Sequence, residues 1–147
     1  ATARTIGIAS AFAGRSLTIT TAILDVDAEL YTRSITFNVS SSTMGTTTQV
    51  SNFTFPTNST ITEVSCSDNQ GQTQIQLDER SSATPNTAGT NILSSALACT
   101  TGTASTTSFA NTAMNAGGLI NLQITGAELV SPRATILRVN VKYTIDD

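Results

Sequence analysis

Apolar residues in this chain recur at every second position. In the closing segment "ILRVNVKYTIDD", Leu137, Val139, Val141, Tyr143 and Ile145 alternate with Arg138, Asn140, Lys142 and Thr144. Only an extended backbone sends successive side chains to opposite faces, so this segment is expected to be a strand with one dry face. The same period runs through Ile35, Phe37 and Val39 in "SITFNV", Phe53 and Phe55 before Pro56, Ile75 and Leu77 in "TQIQLDE", and Ile120, Leu122 and Ile124 in "LINLQIT". Ile6 and Ile8 alternate within residues 5–11, and Leu17, Ile19, Leu24 and Val26 mark residues 16–30. Strands with one wet and one dry face bury the dry faces against each other, which calls for two packed layers.

Turn chemistry punctuates these runs. Residues 40–48 ("SSSTMGTTT") have no apolar period and are expected to form a loop, as are residues 81–90 ("SSATPNTAGT"). Pro56 to Ser59 is expected to turn between two strands, "SDNQGQ" (residues 67–72) to close a hairpin with "TQIQLDE", and "NAGG" (residues 115–118) to lead into "LINLQIT". The spacing of Ile92, Leu93, Ala96 and Leu97 in "NILSSALA" predicts one short helix. No compositional break divides the chain and no fixed-period repeat occurs. The expectation is a single all-β domain over residues 1–147, a jelly-roll-like β-sandwich of about eight strands.

Composition agrees with strands. Ser and Thr make up about three residues in ten, and Thr is β-branched while Ser competes with the helical backbone for hydrogen bonds. At 39% apolar the chain has enough to bury a core, so its hydroxyls belong to a folded surface and not to a disordered stalk. The net charge is −3, and Lys142 with Arg4, Arg15, Arg33, Arg80, Arg133 and Arg138 are scattered, so no basic stripe exists to neutralise phosphates. A nucleic-acid partner is not expected. No apolar run approaches the ~20 residues that cross a bilayer as a helix, so no membrane partner is expected either. Ala1 in place of methionine fits removal of an initiator Met or of a signal peptide.

Chemistry is sparse. Histidine is absent, which excludes Ser-His-Asp and Cys-His arrangements and imidazole ligation of zinc. Asp25, Asp27 and Glu29 in "LDVDAEL" are spaced by two and would share one strand face, a weak candidate for an oxygen-ligand site; the competing reading is a solvated, charge-protected strand near a sheet edge. Cys66 and Cys99 allow one disulfide or two small buried hydrophobes, and their long separation excludes a CxxC motif. Sequons begin at Asn38, Asn52 and Asn58, about as many as chance supplies in a chain this rich in hydroxyls. Phe37, Phe53 and Phe55 are expected in the core; Tyr31 and Tyr143 are freer to keep a wet hydroxyl. No cofactor is expected.

The order "ITFNV", "FTFPTNSTITEVSC", "STTSFANTAMNAGGLINLQI" and "LRVNVKYT" resembles small β-sandwich proteins on the virions of tailed bacteriophages, namely head decoration (cement) proteins and the head domains of fibres. The similarity spans most of the chain beyond about Ser34; "NAGGLI" departs from the polar turn expected there. The resemblance implies a non-enzymatic structural protein on the virion surface, bound to the major capsid protein and commonly a homotrimer. Residues 1–14, "ATARTIGIASAFAG", are then a candidate arm toward a neighbour, or else the first strand of their own domain. The alternative is a subunit of an extracellular filament or pilus joined by N-terminal strand insertion. A carbohydrate-binding sandwich using Tyr31 comes third, weakened by the absence of Trp.

Overall fold

The structure is a computed structural model that describes residues 19–20, 23–24, 31–41, 44–126 and 132–146. The chain divides into two compact units, Ala1–Tyr31 and Thr32–Asp147. In the first, β1 (Ile19–Thr20) and β2 (Ile23–Leu24) pair antiparallel, with Ile19 opposite Leu24. Residues 1–14, the candidate arm or first strand, lie outside the described residues.

The second unit is all-β, with no helix among its described residues. Its strands are β3 (Thr32–Ser40), β4 (Thr47–Thr54), β5 (Ser59–Asp68), β6 (Thr73–Arg80), β7 (Thr90–Asn91), β8 (Leu97–Cys99), β9 (Ala104–Thr106), β10 (Ala113–Met114), β11 (Leu119–Gly126) and β12 (Ile136–Ile145). One sheet runs β3-β12-β5, with β9 and β10 sharing the far edge of β5; the other runs β4-β11-β6, with β7 and β8 sharing the far edge of β6. All pairs are antiparallel. This unit is in effect one long hairpin rolled up. Outgoing β3, β4, β5 and β6 each pair with a returning partner, and the roll then brings β12 against β5 and β11 against β6. That is a jelly roll with eight strand positions, all filled from Thr32 onward.

Alternation explains the core. Leu137, Val139, Val141 and Tyr143 of β12 face Ile75 and Leu77 of β6 and Ile120, Leu122 and Ile124 of β11 within one buried cluster, with Phe37 and the fully buried Phe55. Phe55 stands edge-on between Phe53 and Tyr143, with ring centroids 5.3 and 5.1 Å away, a favoured aromatic geometry. In β5 the inward phase slips from Ile61 to Val64 and Cys66. Pairing with β12 jumps from Glu63↔Lys142 to Ile61↔Tyr143, so Thr62 is the extra residue of a bulge that resets the phase.

Cys66 of β5 and Cys99 of β8 form a disulfide that ties one sheet to the other, with Cα atoms 5.4 Å apart. The same side is closed by backbone. Leu93 bridges Phe109, Ser94 N–H donates to Ser108 O, and Ala110 N–H donates to Ile92 O, joining the β7/β8 edge to the β9/β10 edge.

Two local expectations fail for one physical reason. "SDNQGQ" does not close a hairpin, because β5 and β6 belong to different sheets. Both edges of each strand already have partners, so the turn becomes an arch across the sandwich. Gly71 takes the left-handed conformation at φ 68°, and the Asp68 carboxylate accepts from Thr73 N–H at 2.7 Å. "NILSSALA" is not a helix either. The second edge of β6 needs donors and acceptors, so Ile92 N–H bonds Leu77 O at 2.7 Å while Leu97 enters β8. Where the strand breaks between β7 and β8, the Gln76 side-chain amide donates to Leu93 O and accepts from Leu93 N–H, standing in for the missing ladder.

Candidate functional site

Of the sequence candidates, the structure brings together Cys66 and Cys99. Asp25, Asp27 and Glu29 lie outside the described residues. Cys66 and Cys99 are spent in the disulfide. Tyr31 is partly buried and belongs to the first unit. Asn38, Asn52 and Asn58 are exposed, and Asn58 Oδ1 accepts from Ala116 N–H at 2.9 Å. Among the described residues, no three His, Cys, Asp or Glu side chains stand together as metal ligands.

Among the described residues, one concavity is a groove of about 380 Å³ at one loop end of Thr32–Asp147. One wall is the end of β6 and its following loop (Glu79, Arg80, Ser81, Ser82, Gly89 and Thr90); the other is the turn at residues 115–118. Loop ends are where sandwiches place binding residues, because the strands hold the loops rigidly while leaving them wet.

Each wall has an identifiable anchor. Residues 81–89 make two successive tight turns, with Thr84 N–H donating to Ser81 O and Thr87 N–H to Thr84 O. The loop is then tied down at two points: Arg80 Nη1 donates to Pro85 O at 2.9 Å, and Gly89 N–H donates to the Asp78 carboxylate at 3.0 Å. Gly89 lies so close to β6 that a Cβ there would fall within the carbonyl group of Glu79, so only glycine fits. The opposite turn is held by Phe55 N–H to Gly118 O (2.9 Å) and Gly117 N–H to Phe55 O (2.8 Å), with Gly117 at φ 80°.

Behind the first wall lies a buried polar cluster. Asp78 and Arg80 share one face of β6 and are 1% and 5% exposed. Arg80 Nε donates to Asp78 Oδ2 at 2.7 Å, and Asn121 Nδ2 of β11 donates to Asp78 Oδ1 at 2.8 Å. Burial pushes the Asp78 carboxyl up, but the bonds from Asn121, Gly89 and Arg80, with the guanidinium charge, outweigh it and hold the group below its ordinary range.

Glu79 points the other way. It continues the inward row of Ile75 and Leu77 to the mouth of the sandwich, where it is half-buried. Asn111 Nδ2, from the segment before β10, donates to its Oε2 at 2.8 Å and fixes the carboxylate in the groove wall. The groove therefore offers one oriented carboxylate among short hydroxyls, an amide and backbone groups, bordered by Arg80, whose guanidinium is bonded to Asp78. No histidine exists to serve as base for Ser81 or Ser82.

Sequence reasoning passed over Glu79, Asp78, Arg80, Gly89, Asn111 and Asn121. For Glu79 a signal was present: period 2 from Ile75 and Leu77 puts a carboxylate on the dry face at the third step. No protein-family model matches the chain, and no curated protein is significantly similar to it.

Proposed function

We propose that this chain is a non-enzymatic virion structural protein, a capsid decoration protein that binds the outer capsid lattice and stabilises it. The observation that carries the reading is the filled jelly roll. All eight strand positions come from Thr32–Asp147, so the sandwich is complete without the first 31 residues. A complete, disulfide-tied sandwich is a rigid body suited to add contacts across subunit junctions, and any free energy of that binding is added to the stability of the shell. The Ala1–Tyr31 unit is left over for lattice contact, and a homotrimer on a local three-fold axis would bind three neighbours at once. Strand insertion into a filament calls for a sandwich that lacks a strand. The filled positions therefore favour decoration of a lattice over a pilus-like subunit.

The test is sedimentation with capsids. Purified protein mixed with undecorated shells should travel with them at a saturating stoichiometry in multiples of three per lattice site and raise their disruption temperature. Long fibres assembled by the purified chain alone, or shells that sediment without it, would refute the proposal.

A further inference from the structure

We propose that the groove beside Glu79 receives a basic side chain, a guanidinium or ammonium group presented by another polypeptide. This site stands independently of the virion reading.

The placement of charge carries the inference. Glu79 is half-buried, its Oε2 is held by Asn111, and among the described residues no donor reaches its Oε1. A carboxylate fixed in the groove wall by one neutral donor, with its other oxygen still open, favours a charged donor over water, since bonds between ionised partners are roughly twice as strong as neutral ones. The nearest cation cannot fill that role. Arg80 turns to the opposite face of β6, where Asp78 and Pro85 O hold its guanidinium. Of the other described cations, Lys142 pairs with Glu63 at 2.7 Å, Arg133 lies beside Gln70 at the opposite end of the sandwich, and neither Arg33 nor Arg138 lines the groove. The groove thus keeps its negative field.

The remaining lining narrows the ligand. Ser81, Ser82, Thr90 and Asn115 supply short donors and acceptors but no aromatic face on which a pyranose would stack. A single carboxylate falls short of the six to eight oxygens, usually several of them carboxylate, that calcium takes. The volume, about 380 Å³, is at the small end for ligand sites and suits one extended side chain with its flanking backbone. Both walls are pinned before any ligand arrives, so little ordering opposes binding.

The experiment is a titration of the ¹⁵N-labelled full chain, followed at the backbone amides of Gly89, Thr90, Gly117 and Gly118. The probes are N-acetyl-arginine methylamide, its neutral isostere N-acetyl-citrulline methylamide, and glucose. Arginine should give saturable shifts confined to the groove. Citrulline should bind about fivefold more weakly or worse, and glucose should give no saturable shift. Glu79→Gln keeps the acceptor for Asn111 and removes the charge, so it should weaken arginine by a similar factor. Equal binding of arginine and citrulline by the native protein would overturn the proposal without recourse to any variant. So would saturation by glucose, undiminished arginine binding in a folded Glu79→Gln protein, or no groove shift with arginine.

Discussion

Removing the Cys66–Cys99 bridge should cost the sandwich about 3.7 kcal/mol at 25 °C, from the loop-entropy relation applied to a separation of 33 residues. The unfolded chain gains the conformations that the link forbade, while the folded state keeps its strand pairing. At ~2.1 cal/mol/K per residue over Thr32–Asp147, the unfolding entropy near the midpoint is about 0.24 kcal/mol/K, so the melting temperature should fall by roughly 15 °C. The assay is urea unfolding of the oxidised protein, the reduced protein, and the Cys66→Ala, Cys99→Ala and double variants. Three outcomes are expected together. Each single variant should lose nearly as much as the double, since either change breaks the same bond. The double variant should lose somewhat more than the reduced protein, because both cysteines are buried and truncation leaves space. The urea m-value should rise, because an unlinked unfolded chain exposes more surface. A loss below about 1 kcal/mol, or single-variant losses that simply add, would refute the reasoning that the bridge acts as a cross-link on the unfolded state.

Asp78→Asn should cost about 3 to 5 kcal/mol at neutral pH in chemical unfolding, because it removes the carboxylate charge bonded to the buried Arg80 guanidinium. The Asp78 carboxyl is held below its ordinary value of 3.8, so its contribution is complete above that value and is lost as pH falls through the depressed one. Stability of the native protein should therefore decline below about pH 4, and the decline should be shallower in the variant. Gly89→Ala should cost about 2 kcal/mol or more in the same assay, since backbone of β6 blocks the new Cβ. Gly117→Ala, in open space at φ 80°, should cost only about 1 kcal/mol. Lys142→Ala should change stability by less than about 0.5 kcal/mol, because its pair with Glu63 is 46% and 32% exposed and water screens it.

The strands of the sandwich were legible because each residue's face is a local property of extended chain. Residues 34–39 and 136–145 alternate so regularly that the dry faces of β3 and β12 follow from the letters alone. What a strand pairs with is not local. "SDNQGQ" carries hairpin chemistry, and "NILSSALA" has helical spacing. Both were overruled by edges that other segments had already filled or left open, a decision made tens of residues away. Thr62 is an intermediate case. The slip of phase from Ile61 to Val64 is visible in sequence, but whether it marks a bulge or the end of a strand depends on β12 lying opposite.

The groove was harder to read for a related reason. Alternation assigns Asp78 and Arg80 to the wet face of β6, and by the local rule they would be solvated. They are buried because residues 81–89 turn back toward the strand, a return enabled by the absence of a side chain at Gly89. Burial then makes the Asp78–Arg80 pair mutually dependent, which removes the positive charge of Arg80 from the groove. Glu79, one residue between them and on the opposite face, is bonded instead to the neutral amide of Asn111. Three consecutive ionisable residues thus divide into a buried pair and a half-buried carboxylate that borders the groove. The division was set by one strand's two-residue period and one glycine nine residues beyond Arg80, and neither alone would have predicted it.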